Sequence, residues 1–370
     1  MSEPVKVLHV VGQMNRGGTE TLLMNLLKTT DRSLFQYDFV EQTKDLCDYD
    51  NEIAKLGSKI YRCPTIHLKN LHTYRLWWRN FFKAHPEYQI IHGHSRGSAP
   101  IYLDEANKAG RITILHCHNN SFGLGIKGVI RKVWQKPLKT IADYNFACSY
   151  ESGVSQFGKN GSFKVIKNGI FSERFAWNPE VRKKVRAEIG LGDAFVLGNV
   201  ARFEEQKNHK FLIEIFNEVQ KIQSNAILLL VGKGTLENQT REQVHRLGLC
   251  DKVVFAGLRS DVNELLQAMD AFVLPSHFEG LGIVNIEAQA SGLPCFVSDK
   301  VVPQEAKVTE LIHYVPLEAG AKEWATQILD NAVPMEERRN TTKEIIEAGF
   351  DIHATAEELA SFYRVAVKRK

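Results

Sequence analysis

Two carboxylates stand on either side of a glycine turn in the segment HFEGLGIVNIEAQASGLP, residues 277–294. Glu279 precedes the turn, and Glu287 follows it within a run of apolar and small residues. Carboxylates accept hydrogen bonds from paired neutral hydroxyls, such as those of a ribose or a hexose. We therefore predict that both acids contact sugar hydroxyls.

Basic residues and further glycines follow two earlier apolar runs of the chain. Arg202 and Lys207 lie in ARFEEQKNH, and Gly232 begins the tripeptide GKG. Two cations and exposed backbone amides at a helix start suit a phosphate or diphosphate, and glycines let the backbone approach an anion closely. The combination predicts a site for a diphosphate that carries sugars on both sides.

Each of these residues also has an ordinary structural explanation. Glu279 suits the first turn of the following helix, where the helix dipole favours an acid, and Glu287 suits a solvated surface position. Arg202 and Lys207 fit plain surface charges equally well. These alternatives stay open on the sequence alone.

The chain also contains two His-x-His pairs, His92 with His94 and His116 with His118. On a strand this spacing puts both rings on one face, but it does not supply the third ligand that a zinc site needs. The sequence therefore favours packing or hydrogen-bonding histidines, and we predict no metal site.

Apolar runs alternate with helical patterns along the chain, which indicates parallel sheets covered by helices on both faces. One series runs from VKVLHVVG to YNFACS, and a second runs from AFVLGNV to PCFVSD. The break between them predicts two Rossmann-like α/β domains, residues 1–170 and 171–351. The final helix, about 352–370, either packs back on the first domain or packs elsewhere, and the sequence alone leaves both open. Ligands of such sheets bind beyond the carboxyl ends of the strands, so two facing domains would gather these loops in one central cleft.

Composition narrows the class of protein. The 370 residues are 44% hydrophobic and 24% charged, which is typical of a soluble globular protein with more than one core. The six cysteines form no Cys-x-x-Cys pair, and the N-terminus runs into a strand without a signal-peptide pattern. Since no apolar run approaches the roughly 20 residues of a membrane span, we predict a cytoplasmic protein.

Positive charge is concentrated in the first half of the chain. Residues 1–170 hold 23 Lys/Arg and 14 Asp/Glu, whereas residues 171–370 hold 24 and 29. Segments 74–85 and 126–140 mix the basic residues with apolar ones. Such segments lie on an anionic membrane surface or form core helices with a solvated basic face, and both explanations stay open. No nucleic-acid-binding motif accompanies the charge, so we predict no nucleic-acid partner.

Four segments together resemble retaining glycosyltransferases of family 4, which have the GT-B fold of two Rossmann-like domains. VVGQMNRGGTETLLMNLL resembles the N-terminal glycine loop, and VIKNGI resembles the interdomain Asn-Gly turn. NVARFEEQKNH resembles the donor-phosphate segment, and HFEGLGIVNIEAQASGLP resembles the E-x7-E segment. The likeness extends over nearly the whole chain and is nearest to bacterial capsular and exopolysaccharide enzymes.

The resemblance implies a role for each matched residue. Glu287 would hold the ribose of the nucleotide and Glu279 the donor sugar, while Arg202 and Lys207 would neutralise the diphosphate. His118 would lie beside the transferred sugar, with His116 as the alternative. The remaining predicted donor-binding residues are Gly17, Gly18, Asn168, Gly232, Gly280, Leu281, Gly282 and Ile283.

The implied activity is the retaining transfer of a sugar from a nucleotide-diphosphate sugar, with UDP as the expected nucleotide. The acceptor would be a hydroxyl of a glycan or lipid-linked sugar in cell-surface polysaccharide synthesis, reached in the cytoplasm or at the inner face of the cell membrane. Because the cations and helix-start amides would supply the positive field, no metal or other cofactor is expected. A nucleotide-sugar epimerase on the same fold and a non-catalytic nucleotide-sugar-binding subunit remain as alternatives.

Overall fold

The chain folds into two α/β units, each built around a parallel sheet. The computed structural model describes residues 3–118 and 125–369, without the side chains of residues 125–127. One unit comprises Met1–Ile170 with Asp351–Lys370, and the other comprises Phe171–Phe350. The end of the chain therefore belongs to the unit in which the chain begins.

The first unit alternates strands and helices from its first apolar run onward. Its strands are β1 (Val5–Val11), β2 (Phe35–Glu41), β3 (Ile60–Arg62), β4 (Tyr88–Gly93), β5 (Ile112–Cys117), β6 (Tyr144–Ala147) and β7 (Lys164–Val165). The helices between them are α1 (Gly18–Thr29), α2 (Asp50–Lys55), α3 (Leu71–Ala84), α4 (Ala99–Lys108), α5 (Gly125–Trp134) and α6 (Tyr150–Phe157).

The second unit continues the alternation. Its strands are β8 (Val196–Val200), β9 (Ile227–Val231), β10 (Val253–Gly257), β11 (Ala271–Leu274), β12 (Cys295–Ser298) and β13 (Ile312–Val315). Its helices are α7 (Ser172–Phe175), α8 (Pro179–Glu188), α9 (His209–Ile222), α10 (Glu237–Arg246), α11 (Val262–Ala268), α12 (Ile283–Ala290), α13 (Gly320–Asp330) and α14 (Thr342–Glu347).

Both sheets are parallel, and their central strands are buried on both faces. Among the described residues, the first sheet has the order β3-β2-β1-β4-β5-β6-β7 and the second has the order β10-β9-β8-β11-β12-β13. Every residue of β5 is buried, as expected of a strand covered by helices on each side. The two sheets confirm the predicted α/β class with Rossmann-like parallel sheets.

The strand order reverses at one point in each sheet. In the first sheet the reversal lies between β1 and β4, and in the second it lies between β8 and β11. The loops that leave these strand pairs diverge to opposite faces, which opens a crevice at the carboxyl edge where ligands of such sheets bind. Most sequence segments with predicted site residues follow these strands, whereas Gly232, His118 and Asn168 follow β9, β5 and β7.

The last helix, α15 (Ile352–Arg369), packs against the sheet of the first unit. Its Tyr363 is fully buried, and the hydroxyl lies 2.6 Å from His92 Nδ1 on β4. A Cβ added at Gly169 would lie 2.6 Å from the Cα of Ile352, so the Asn-Gly turn must carry a glycine for α15 to begin there. Residue 370 of the predicted helix lies outside the described residues.

The two basic amphipathic segments have different environments. Tyr74, Trp78 and Phe82 of α3 are buried in the core of the first unit, while Arg75 and Arg79 form ion pairs with Glu105 on α4. Segment 74–85 is therefore a core helix whose two arginines are paired, while Lys83 is exposed. Within the described chain, no helix combines the length and apolarity needed to cross a membrane.

In α5, by contrast, the apolar side chains face solvent. Val129, Ile130 and Val133 are 62–68% exposed, beside Lys132 and Lys136. Trp134 anchors the end of the helix by donating from Nε1 to the Gly97 carbonyl at 2.7 Å. The side chains of residues 126 and 127, which the predicted segment includes, lie outside the described residues.

A buried arginine supports the helix ends in the second unit. Arg338 donates to the carbonyls of Leu266, Met269 and Ser291 at 2.8–3.0 Å, and it stacks on Trp177. These carbonyls terminate α11 and α12, where backbone acceptors lack partners within the helix. Arg338 thereby fixes the C-terminal end of α12, whose other end belongs to the site described below.

We expect Arg338→Met to lower the free energy of unfolding by about 3 kcal/mol or more, because the buried Ser291 carbonyl loses its donor and the Leu266 and Met269 carbonyls each lose a charged one. Thermal unfolding followed by circular dichroism measures the effect. Arg339→Met is the matched control, since Arg339 is exposed and its ion-pair partner among the described residues is Glu344, and such a change costs about 0.5 kcal/mol or less. Equal melting temperatures for the two variants would contradict this account.

Candidate active site

The loops that follow β8 and β11 are joined at the point of strand reversal in the second unit. The backbone amide of His277 donates to the Gln206 carbonyl, and Gln206 Nε2 donates to the Phe278 carbonyl, both at 2.8 Å. Asn208 Nδ2 donates to the Pro275 carbonyl at 3.0 Å. Asn208 has φ 54°, which lets this short-side-chain residue both turn the loop and cap α9. The two loops thus form one rigid edge.

An ion pair crosses between these loops. Lys207 Nζ donates to Glu279 Oε1 at 2.6 Å, and Ser276 Oγ donates to the same oxygen at 2.7 Å. The Glu279 side chain is 5% exposed and that of Lys207 is 15% exposed, so both charges are largely removed from water. The pair brings together two predicted site residues from segments 72 positions apart. Within the described residues, Glu279 Oε2 has no hydrogen-bond donor and is available to a ligand.

The glycine turn after Glu279 leads directly into α12. Gly282 is the N-cap residue and has the left-handed φ of 70°, which a residue with a Cβ rarely adopts. In the described part of the chain, the amides of Gly280, Leu281, Ile283 and Val284 have no acceptor. Unpaired amides at a helix start form a site for an anion, because the helix dipole adds to their positive charge. The positions suit the predicted contact of residues 280–283 with a diphosphate.

Arg202 and Gly232 differ in whether their polar groups are available to a ligand. Arg202 is exposed on the loop after β8, and no ion pair holds it within the described ranges. The amide of Gly232 donates to the Gly257 carbonyl at 2.8 Å, and a Cβ there would lie 2.0 Å from the Ala201 carbonyl oxygen. The glycine therefore allows the loops after β8 and β9 to pack together, and its own amide is already used.

Glu287 lies on α12, one helical turn beyond the free amides. It is partly accessible, and no side chain in the described regions pairs with it. Burial raises the pKa of Glu287 to about 7, because removing water disfavours the charged form. A desolvated carboxyl group with free oxygens suits the predicted contact with a pair of hydroxyls.

The predicted residues of the first unit follow three different strands, β1, β5 and β7. Gly17 is the N-cap residue of α1, and Gly18 is its first residue, after the loop that follows β1. Asn168 is buried with no partner for its Oδ1 among the described residues. His118 follows β5 and is half-buried, whereas His116 is fully buried within that strand. Of the two histidines, His118 is thus the more accessible.

His118 belongs to a group of histidines on one face of the first sheet. His94 Nδ1 lies 2.9 Å from His118 Nε2, and His94 Nε2 lies 3.1 Å from His9 Nδ1. Burial lowers the pKa of His9 and of His118 to about 3, and the pKa values of His94 and His116 also fall well below the ordinary value. All are therefore neutral at pH 7.

Several residues that position the site were not predicted. Ser276 holds Glu279, and Gln206 and Asn208 join the two loops. Asn199 in β8 donates to the Val273 carbonyl in β11 at 2.7 Å, which ties the two strands together at the reversal. Only Asn199 has a sequence signal, as an amide within an otherwise apolar strand.

The comparisons with known proteins identify the class of this chain. Residues 181–347 match the family described as glycosyl transferases group 1. Over 100% of this chain and 98% of the relative, the sequence is 32% identical to a Bacillus subtilis (strain 168) protein named "Putative glycosyltransferase EpsF". The chain belongs to the group 1 glycosyl transferases.

A further relative and a solved structure are also similar to this chain. An Escherichia coli UDP-Gal:alpha-D-GlcNAc-diphosphoundecaprenol alpha-1,3-galactosyltransferase is 28% identical to this glycosyltransferase over 58% of each chain. The Anabaena protein HepE, in a crystal structure with UDP and glucose, has a TM-score of 0.79 at 20% identity and covers 98% of this chain and 100% of its own. The structural match confirms that the two Rossmann-like units are those of the GT-B fold.

Glu287 provides a pH-dependent test of the site. Its pKa is raised in the folded protein, so ionising it costs stability, and the cost grows from about pH 4.5 to about pH 7. We expect Glu287→Gln to unfold at the wild-type temperature below pH 5 and to be more stable above pH 7, by roughly 1–3 kcal/mol. Thermal unfolding across this pH range measures the difference.

The control for this test is Glu336→Gln, which removes a carboxylate from an exposed position. It should change the melting temperature little at any pH, since exposed substitutions have small effects. A gain for Glu287→Gln that is equal at pH 5 and pH 8 would show that desolvation of the carboxylate is not its cause.

Proposed function

We propose that this glycosyltransferase is a retaining member of family 4 that moves a sugar from a UDP-sugar to a hydroxyl of a lipid-linked or glycan acceptor. The product would enter cell-surface polysaccharide synthesis. The observation that carries the proposal is the Lys207–Glu279 ion pair beside the unpaired amides of α12. One edge of one sheet thus offers a cation, free amide donors and a carboxylate oxygen, which a diphosphate flanked by sugars requires.

The chemical step is departure of the nucleoside diphosphate from the anomeric carbon. Negative charge develops on the diphosphate, and donors already oriented toward it stabilise that charge without reorganisation. Lys207 is held in place by Glu279, whereas the exposed Arg202 has no ion-pair partner among the described residues and is free to reach the anion. These groups supply the positive field, so we propose that the diphosphate needs no divalent metal.

Glu279 has a different task from the cations. Its Oε1 accepts from Lys207 and Ser276, and its Oε2 remains for a hydroxyl of the donor sugar. A carboxylate neutralised in this way is a poor nucleophile, which favours transfer from the front face without a covalent glycosyl-enzyme. The acceptor would then attack from the side on which the diphosphate leaves, and the configuration would be retained.

The names of similar proteins guide the choice of substrates. The Escherichia coli relative is named for UDP-Gal and for a diphosphoundecaprenol acceptor, and the Anabaena structure is described with UDP and glucose. We therefore propose a UDP-hexose as donor and a polyprenyl-diphosphate sugar as the first acceptor to test.

A panel of nucleotide sugars, each with and without a polyprenyl-diphosphate sugar, tests the function. We expect UDP release that depends on acceptor, together with a glycoside whose anomeric configuration by NMR equals that of the donor. An isomerised nucleotide sugar without acceptor would establish the epimerase instead. Binding of UDP with no turnover of any donor and acceptor pair would establish a non-catalytic subunit.

Substitution of the two cations tests the leaving-group argument. We expect Lys207→Met and Arg202→Met each to lower kcat by about a hundredfold, the scale for loss of one preorganised donor. Lys207→Met should also lower the melting temperature, because Glu279 keeps an uncompensated buried charge, whereas Arg202→Met should leave it unchanged. Steady-state kinetics and thermal unfolding measure both effects.

Lys210→Met is the matched control, because Lys210 is exposed on the first turn of α9 near these cations in sequence. Its kcat should stay within about twofold of wild type, as for an ordinary surface change. Full activity of both cation variants would refute the proposed role of the positive field.

We also propose that α5 contacts an anionic membrane surface, where a lipid-linked acceptor is found. The support is the exposed apolar strip Val129, Ile130 and Val133, together with the exposed Lys132 and Lys136. Apolar residues beside lysines bind the interface of an acidic bilayer through both burial and charge. Segment 74–85 is left out of this proposal because its aromatic side chains belong to the core.

Vesicle flotation tests this contact. We expect the wild-type protein to float with vesicles that contain phosphatidylglycerol and not with neutral vesicles, and Ile130→Ser/Val133→Ser to lose most of the bound fraction. Val365→Ser, at an exposed valine of α15, is the control and should float like wild type. Flotation of the double variant at the wild-type level would exclude α5 as the contact.

A further inference from the structure

Five histidines form a continuous group on one face of the first sheet, which we call the histidine ladder. Its members are His9, His92, His94, His116 and His118. The parallel register pairs His9 with His92, and neighbouring ring centroids lie 4.1–5.5 Å apart. The ladder runs from Tyr363, which bonds the buried His92, to the half-buried His118 after β5.

The hydrogen bonds within the ladder leave many ring nitrogens unused. The three bonds His9–His94, His94–His118 and His92–Tyr363 are the ladder's pairings in the described structure. The buried atoms without a partner among the described residues are His9 Nε2, His92 Nε2, His118 Nδ1 and both ring nitrogens of His116. An unsatisfied buried polar group costs about 1–3 kcal/mol. Several such nitrogens side by side therefore indicate that a bound ligand supplies the missing bonds.

We propose that His94, His116 and His118 bind a divalent transition metal of the zinc class. One nitrogen from each ring lies within 4.8 Å of the others. His94 Nδ1 and His118 Nε2 are 2.9 Å apart, about half an ångström short of the roughly 3.4 Å between ligands of a tetrahedral ion with metal–nitrogen bonds of about 2.1 Å. His116 has both nitrogens free to complete the set, and neutral imidazole is the ligand that Zn²⁺, Co²⁺ and Ni²⁺ share.

The surrounding bonds also fit metal ligation. If His94 binds through Nδ1, its Nε2–H donates to His9 Nδ1, which lies 3.1 Å away. Metal-ligating histidines usually donate their second N–H in this way, and the contact fixes the ring and its tautomer. His9 is thus a positioning residue for the site. The third ligand that the sequence did not supply comes from the neighbouring strand, because β4 and β5 each contribute to the same face.

Other groups of potential ligands in the described structure are less suitable. His9, His92 and His94 also lie close together, but His9 and His92 are fully buried and their Nδ1 atoms already have partners. Glu41, Cys47 and Asp50 form a third group, whose carboxylates are neutralised by Arg62. The site at His94, His116 and His118 contains two half-buried rings, so it lies nearer the surface than the group His9, His92 and His94.

This inference goes beyond the proposed transfer function. The metal would be bound by the first unit and would not neutralise the diphosphate. It would engage Nε2 of His118 and leave Nδ1 as the free nitrogen of that ring. The test below requires no donor or acceptor, so its outcome is independent of whether the transferase assay succeeds.

Titration of the metal-free full-length protein with Co²⁺ tests the site. We expect one equivalent to give the intense visible d–d absorption of a tetrahedral ion and Zn²⁺ to displace it. Cys250→Ser serves as the background, because Cys250 is an exposed thiol that binds such metals. In this background, called the parent, His116→Gln and His94→Gln should bind Co²⁺ at least tenfold more weakly. Zn²⁺ should raise the melting temperature of the parent but not of these two variants.

His72→Gln removes an exposed histidine of α3 and should bind Co²⁺ like the parent. Circular dichroism establishes that each variant is folded. If the buried variants do not fold, crystals of the parent soaked with Zn²⁺ decide, with an anomalous peak expected among the three rings. The proposal would be overturned if the parent and the folded variants gave equal Co²⁺ spectra. It would also be overturned if the anomalous peak lay away from the three rings. Either result would identify an adventitious ion only.

Discussion

The ion pair between Lys207 and Glu279 is the interaction on which the candidate active site depends. It joins the loops that follow β8 and β11, the two strands between which the second sheet reverses its order. The reversal opens a crevice, and the pair fixes both of its walls with charges that are already oriented. An ion pair that is largely shielded from water keeps its geometry better than two solvated side chains, since water neither screens the two charges nor competes for their hydrogen bond.

The site is assembled at a cost in stability. Glu287 is desolvated without a partner in the described residues, and the amides at the start of α12 lack acceptors. The fold offsets this with supports elsewhere in the same unit, such as Arg338 at the far end of α12 and Asn199 between the central strands. Unsatisfied groups near rigid supports are typical of sites that bind a ligand, because the ligand supplies the missing bonds.

The predictions from sequence succeeded where a local pattern was sufficient. Alternating apolar runs and helices predicted the parallel sheets, and the carboxyl-edge rule predicted that Arg202, Lys207, Glu279 and Glu287 follow strands at one edge. The argument from His-x-His spacing considered one strand at a time, whereas β5 lies beside β4 and brings a third histidine close to the same face. The membrane explanation for segment 74–85 was attractive from composition, yet its aromatic residues form core contacts that composition does not specify.

The sequence by itself determined the class of fold, the order of the strands and helices along the chain, and the residue types available for a diphosphate and two sugars. Strand periodicity and helix spacing are local properties of the sequence, so they can be recognised without knowing which helices and strands pack against each other. Tertiary structure decided which charges meet: Lys207 with Glu279 across 72 residues, and Arg75 with Glu105 across helices. It also decided that five histidines from three strands share one face, because only the register and order of a sheet bring distant residues together.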